Sequence, residues 1–407
     1  MVFIDDDYNI ITPAIYLISI VTCIFSLLGC FVIFATFFLF KETRSSSRQL
    51  LLYLSIADFL VCISNATGAS WAMYMTSRPN ISNVNVTSEC EKPSPVCVAQ
   101  SFIGTTGLIS SFIWTIIIAW EVRESLLKNS PSWMDRFQWI LHVIAWGVPL
   151  TVTAIIARYQ RLGFIYSPDR SIGGTAFTAG WCWIKICQAD FDRHDLGLMV
   201  GLPLAAGKVW EIFVYFTVPV IYTALRWNLK STIRQTESMY VDRATQDAVS
   251  RADRVMKAIP IIFIFLRIWG TIRFVANSCY WAAYGVVENP TFHTVVNVVL
   301  AVFQAFGDNG QGIGNCLIYC FLTDSVRVRI CAVCGLRPET DDFDSIRDSL
   351  SAAILDHTEP SSGVEIARGS SHSRRSTPLS SKGSTFAKNT PEDIFIVGTP
   401  TSLNADT

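Results

Sequence analysis

Charge is scarce in this chain of 407 residues: Asp, Glu, Lys and Arg make up 16% of it, against roughly 25% in an average soluble domain. Hydrophobic residues make up 51%, so the composition is not that of a water-soluble fold. The net charge of −1 offers no basic excess, and no nucleic-acid partner is expected. Histidine is rare as well. His142, His194, His293, His357 and His372 are scattered, with no His-x-x-x-His pair, which argues against a zinc hydrolase. The glycine-rich stretch GDNGQGIGN lacks the lysine of a phosphate loop. No catalytic set emerges, so neither an enzyme nor a cofactor or metal is expected.

What the chain does have is long apolar runs. A bilayer core takes roughly 20 apolar residues per helix. Seven runs qualify: Pro13–Phe40, Arg48–Met75, Cys97–Trp120, Phe137–Ala157, Ala206–Trp227, Val255–Tyr284 and Phe292–Phe321. The expected fold is an all-α membrane protein, a seven-transmembrane helix bundle over residues 13–322. Seven crossings put the two ends on opposite sides. The N-terminal end and the loops sharing its side hold seven Lys and Arg, and the opposite loops hold thirteen. Positive residues mark the cytoplasmic side. Residues 1–12 are thus expected outside as a short extracellular segment, and the C-terminus inside. The first run is too long for a cleaved signal peptide and reads as an anchor.

The outer loops carry two glycosylation sequons, at Asn80 and Asn85. A third match, at Asn65, falls inside segment 2 and is expected to be inert. Four of twelve cysteines, Cys90, Cys97, Cys182 and Cys187, fall on the oxidising outer side. Their pairing is open from sequence. Cys23, Cys30, Cys62, Cys279, Cys316 and Cys320 read as small apolar fillers of helices.

Ionisable groups inside a membrane are costly and tend to be functional. Segment 5 has Lys208 and Glu211 three apart, hence on one helical face. Segment 6 has Arg267 and Arg273, segment 2 has Asp58, and segment 7 has Asp308, Asn309, Gln311 and Asn315. The plain reading is a satisfied interhelical network, with Glu211 paired to Lys208 or to an arginine of segment 6, and Asp58 bonded to segment 7. The functional reading has two layers. The outer set, Trp181, Trp183, Lys208, Trp210, Glu211, Arg267, Trp269 and Arg273, would line a ligand cavity. The inner set, Asp58, Asp308, Asn309 and Asn315, would link it to the cytoplasm. Pro149, Pro219 and Pro260 are candidate helix breakers, and Pro260 would let the inner end of segment 6 swing.

Seven blocks in order, RQLLLYLSIADFL, SSFIWTII, HVIAWGVPL, AGWCWI, AGKVWEIFVY, IPIIFIFLRIWGTIRFV and the GNC run of segment 7, resemble the G-protein-coupled receptors, and more loosely their cyclic-AMP receptor and secretin receptor groups. The resemblance covers about residues 13–334. It implies a Cys97–Cys182 bridge, a helix 4 built around Trp146 and Pro149, an extracellular ligand, and a heterotrimeric G protein as partner. The Asp-Arg-Tyr triplet of rhodopsin-like receptors is replaced by AWEVRES, with Arg123 nearest in position. The Asn-Pro-x-x-Tyr pattern is absent, though Asn315 and Tyr319 echo its ends. Segment 7 has no lysine, which excludes a retinal Schiff base there. The large cysteine-rich ectodomain of the secretin group is also missing, so the ligand is expected to be small or lipid-like and to fit within the bundle.

On the inner face, the basic stretch Arg226–Lys257 reads as helical extensions of segments 5 and 6. Arg123, Lys230, Arg254, Lys257 and Arg327 are the expected G-protein contacts. Residues 323–335 suggest an amphipathic helix on the membrane lipid, with Cys331 and Cys334 placed for palmitoylation. Residues 336–407 hold 21 Ser and Thr and should be a disordered cytoplasmic tail. Phosphorylation there could recruit an arrestin. The expected setting is the plasma membrane. The competing class is a multi-pass transporter without G-protein signalling, for which the glycines of segment 7 are the one supporting feature.

Overall fold

The computed structural model describes residues 3–39, 46–77, 93–127, 133–163, 178–187, 190, 193, 195–236, 243–284 and 291–321. Asn80, Asn85, Cys90, Arg327, Cys331, Cys334, the expected surface helix and the tail lie outside them. Helices α1 (Phe3–Leu39), α2 (Ser46–Thr76) and α3 (Pro95–Leu127) come first. α4 passes from Trp133–His142 through a π turn, Val143–Gly147, into Val148–Arg158. Two short strands, β1 (Leu162–Gly163) and β2 (Trp183–Ile184), then pair antiparallel, Leu162 with Ile184 and Gly163 with Trp183. α5 begins with two π turns, Gly197–Gly201 and Leu204–Lys208, and continues as Val209–Thr236. α6 is Arg243–Tyr284. α7 is Thr291–Asn309, resuming as Gln311–Cys316 and Leu317–Phe321.

Six of the expected spans are long and apolar enough to cross a membrane. The seventh differs from expectation. Its uninterrupted apolar stretch is Val295–Asn309, because the helix breaks at Gly310, whose φ of −82° and ψ of 1° leave the helical region. A turn from Gly310 N–H to Gly307 O (3.2 Å) bridges the gap. The fifth span also differs, starting at Gly197 rather than Ala206. Its two π turns carry the helix further out than the apolar run suggests. α6 is helical on both sides of Pro260, the expected hinge of segment 6.

The bundle is arranged for lipid. Leu17, Phe25 and Phe31 of α1 are more than half exposed, while Ser19, Ser26, Asp58, Ser111 and Asn309 are buried. Lipid tails are as apolar as leucine, so close contact and interhelical hydrogen bonds hold the helices together. α6 and α7 meet backbone to backbone: a Cβ on Gly307 would lie 1.9 Å from the Leu266 carbonyl oxygen. Towards one end, Tyr53 of α2 packs on Trp114 of α3 (5.1 Å between ring centroids) and on His142 of α4 (4.4 Å). Phe112, Val214 and Phe263 join α3, α5 and α6.

Candidate functional site

The segment between α4 and α5 folds back over one mouth of the bundle. Cys182 is bonded to Cys97 in the first turn of α3, with 5.5 Å between their Cα atoms. The Cys182 N–H donates to Gln100 Oε1 (2.9 Å), and Gln100 Nε2 donates to Ser64 Oγ of α2 (2.9 Å). Ser19 Oγ of α1 donates to the Ala179 carbonyl (2.7 Å). Gly180 adopts φ +113°, and any Cβ there would strike the Tyr16 ring, 2.4 Å from Cδ1. This position therefore requires glycine. Cys187 is also disulfide-bonded; its partner is outside the described residues. Arg161 pairs with Asp190 (2.9 Å) beside Lys185. Burial, and next the Arg161 charge, press the Lys185 ammonium below its ordinary pKa.

Trp181 and Trp183, held by this loop, roof a cavity between α2, α3, α5, α6 and α7. The cavity is partly open to solvent, and about 40 Å³ of it accommodates the centres of water-sized bodies. The π turn Leu204–Lys208 widens α5 by one residue just where Lys208 must face inward; such turns are frequent at functional sites. Lys208 Nζ then meets Glu211 Oε2 at 2.7 Å. The Tyr215 hydroxyl donates to Glu211 Oε1 (2.7 Å) and lies 3.1 Å from Thr271 Oγ1 of α6. The Arg267 guanidinium stands 5.3 Å from the centroid of the Phe112 ring. Its Nε and Nη2 are buried with no acceptor among the described residues. Asp308 Oδ2 accepts from Gln304 Nε2 (2.9 Å), while Oδ1 has no donor among the described residues.

Arg273, six residues on from Arg267, has a different environment. Its Nε donates to Asn297 Oδ1 (2.6 Å), and its Nη1 donates to the Thr178 carbonyl and to Gln304 Oε1 (both 2.8 Å). It ties the covering loop to α6 and α7 rather than lining the cavity. Trp210 is likewise displaced, its indole donating to the Ala205 carbonyl (3.1 Å). Trp269 stacks on Phe303 (4.6 Å) and meets Phe265 edge-on, and both of these are exposed. Of the eight expected ligand contacts, Trp181, Trp183, Lys208, Glu211 and Arg267 line the cavity; Trp210, Trp269 and Arg273 do not.

Deeper in the bundle, Asp58 of α2 accepts from Ser111 Oγ of α3 and from Asn315 Nδ2 of α7, each at 2.7 Å. Asn65 Nδ2 donates to Asn309 Oδ1 (2.8 Å), and Ser26 Oγ of α1 donates to the Asn309 carbonyl at the helix break. Asn65, read from sequence as an inert sequon match, is thus a buried interhelical partner. Gln100, Ser111, Asn297 and Gln304 are further buried polar partners that no charge marks in the sequence. Neutral amides and hydroxyls in a spanning helix are a weaker sequence signal than charges. On the far side, Arg123 Nη1 pairs with Glu124 and stacks over Trp120 (5.1 Å). Lys230 and Arg254 lie within α5 and α6, as does Lys257, without described side chains.

Residues 12–191 match the family described as 7 transmembrane receptor (Secretin family). The chain is 31% identical to human G-protein coupled receptor 157 over 331 residues, covering 80% of this chain and 85% of that protein. Its mouse counterpart is also 31% identical, over 79% of this chain and 86% of the relative. Cyclic AMP receptor-like protein A of Dictyostelium discoideum is 23% identical over 72% of this chain and 60% of the relative.

Proposed function

The chain belongs to the G-protein-coupled receptors, in the group that spans secretin-type and cyclic-AMP-receptor-like proteins, and on that premise we propose a route for its signal. It is a multi-pass membrane receptor, not an enzyme, and membership implies a heterotrimeric G protein as partner. An agonist enters from the extracellular side beneath the Cys182 loop and contacts Trp181, Trp183, Lys208, Glu211 and Arg267. The N-terminus is outside and the C-terminus inside, at the plasma membrane, in keeping with the Lys and Arg bias of the loops.

The observation that carries this reading is the continuity of the cavity with the break in α7. Asp308 lines the cavity. The next residue, Asn309, is bonded to α1 and α2 where the helix gives way at Gly310. A ligand that draws on Asp308 therefore acts on a point where α7 has already lost its helical continuity. It must bind the open arrangement of α5, α6 and α7 better than the closed one, since a ligand of equal affinity for both shifts nothing. The inner ends of α5 and α6 then receive Gα, with Arg123, Lys230, Arg254, Lys257 and Arg327 as contacts. A phosphorylated tail would recruit an arrestin, and Cys331 and Cys334 would carry palmitate.

G-protein activation by the surface-expressed chain, across a panel of Gα subunits, tests this. Activation of one class, reduced by Glu211→Ala at equal surface expression, is the expected result. Silence across the panel with full surface expression, together with solute flux in vesicles, would favour a transporter. The broken α7 is the observation that keeps that second reading open.

A further inference from the structure

Arg267 is the least satisfied charged group in the described bundle: 2% exposed, with Nε and Nη2 both buried and lacking acceptors among the described residues. These two atoms are not an arbitrary pair. Nε–H and the adjacent Nη2–H point the same way along one edge of the guanidinium, the edge that grips two oxygens of a carboxylate or phosphate at once. Asp308 Oδ1, on the same cavity wall, is an acceptor lacking its donor. Arg267 Nε and Nη2 and Asp308 Oδ1 all stand without hydrogen-bond partners among the described residues, so the two gaps do not fill each other. Trp183 Nε1, in the roof, is a further donor without a partner among the described residues. Orphaned buried polar groups of this kind call for an explanation.

We propose that Arg267 is an oxyanion fork, and that the cavity takes a compact polar molecule bearing a carboxylate or phosphate for Arg267 and, a few atoms away, a hydrogen-bond donor such as an ammonium for Asp308. This rests on the reading of the cavity as the ligand site and narrows it. The volume supports a small occupant. A water needs roughly 10–15 Å³ of space for its centre, so the inner part of the cavity, about 40 Å³, holds about three waters, the room of a short polar chain. A lipid tail would lie against four ionisable side chains, Lys208, Glu211, Arg267 and Asp308, with which it makes no hydrogen bond.

The experiment uses the full chain in lipid nanodiscs. Thermal unfolding is followed at rising concentrations of acetate, inorganic phosphate, β-alanine and phosphoethanolamine, with chloride holding ionic strength constant. The expected result is a saturable rise in Tm, with each amine-bearing molecule acting at lower concentration than its plain oxyanion. The preference between β-alanine and phosphoethanolamine tells carboxylate from phosphate. Arg267→Gln should weaken all four by about tenfold or more; Asp308→Asn should weaken the amine-bearing pair alone. The double variant Arg267→Gln/Asp308→Asn removes one charge of each sign and tests the site if either single variant fails to fold; it should abolish the response. Equal shifts in wild type and Arg267→Gln would mean surface ion binding and would overturn the proposal, as would no Arg267-dependent shift with any probe. G-protein activation of the same chain separates the two levels. Arg267-dependent binding without activation sinks the receptor mechanism and leaves the fork. Agonist activation that Arg267→Gln leaves unchanged sinks the fork alone.

Discussion

Arg267 and Arg273 lie six residues apart on α6, are 2% and 1% exposed, and should respond in opposite ways to removal of their charge. Arg273→Met takes donors from Asn297 Oδ1, the Thr178 carbonyl and Gln304 Oε1. A buried acceptor left without its donor costs about 1–3 kcal/mol. Allowing for relaxation, the three together give a loss of about 3–5 kcal/mol, along with release of the loop at Thr178. Arg267→Met takes away a guanidinium with two unmet donors. What it forfeits is the contact with Phe112, worth about 0.5–2 kcal/mol, and attraction to Asp58, Glu211 and Asp308. What it removes is a desolvation penalty of several kcal/mol. The sum is a protein within about 1 kcal/mol of wild type, or more stable. Equilibrium unfolding in mixed micelles measures both variants, and limited proteolysis of the outer loop should speed up for Arg273→Met alone. A neutral Arg273→Met would mean that the loop tether is not carrying stability. A loss above about 3 kcal/mol for Arg267→Met would mean that its fork is occupied, and the argument from unmet donors would fall.

Gly307→Ala should be severe for a methyl group, since the added carbon would meet the Leu266 carbonyl oxygen at 1.9 Å. Prising α6 from α7 costs about 1–3 kcal/mol or more, read as loss of surface-expressed, folded protein, whereas the less crowded Gly147→Ala should express normally. Cys182→Ser frees the loop from α3 and should raise its protease sensitivity. The destabilisation should fall at or below the roughly 2–5 kcal/mol of small secreted domains, because inserted helices already restrict the unfolded chain. Glu211→Gln weakens the acceptor for Lys208 and for the Tyr215 hydroxyl, and should lower stability by about 1–3 kcal/mol. Tyr215→Phe should lose less, about 1 kcal/mol, and an equal loss in the two would contradict the Lys208 pairing.

Much of this fold was legible because a bilayer imposes simple demands. Backbone polar groups must be satisfied within each segment, so long apolar runs mean helices, and Lys and Arg bias suggests their direction. Lys208 and Glu211 were readable as neighbours because three residues make nearly one helical turn, and they pair at 2.7 Å. The Asp58 contact with α7 is foreseeable in kind, since a buried carboxylate in lipid needs donors; Asn315 stands out in segment 7 as such a donor, whereas Ser111 is one hydroxyl among several in segment 3. The break at Gly310 was harder to read. Glycines in a spanning helix serve close packing as often as interruption, and nothing in GDNGQGIGN tells which glycine does which.

The sequence by itself determined the class of object: a helical membrane bundle of seven apolar spans, with polar groups at known depths and a resemblance to G-protein-coupled receptors carried by blocks in order. These follow from composition, from runs of one chemical type and from spacing along one helix, all of them local. Tertiary structure alone decided which of two buried arginines is satisfied, that Trp269 stacks on Phe303 while Trp183 lines the cavity, and that Asn65 holds Asn309. Each depends on the rotation of one helix against another. That rotation is set by backbone contacts such as Gly307 on Leu266 and by π turns that shift a whole helix face by one residue.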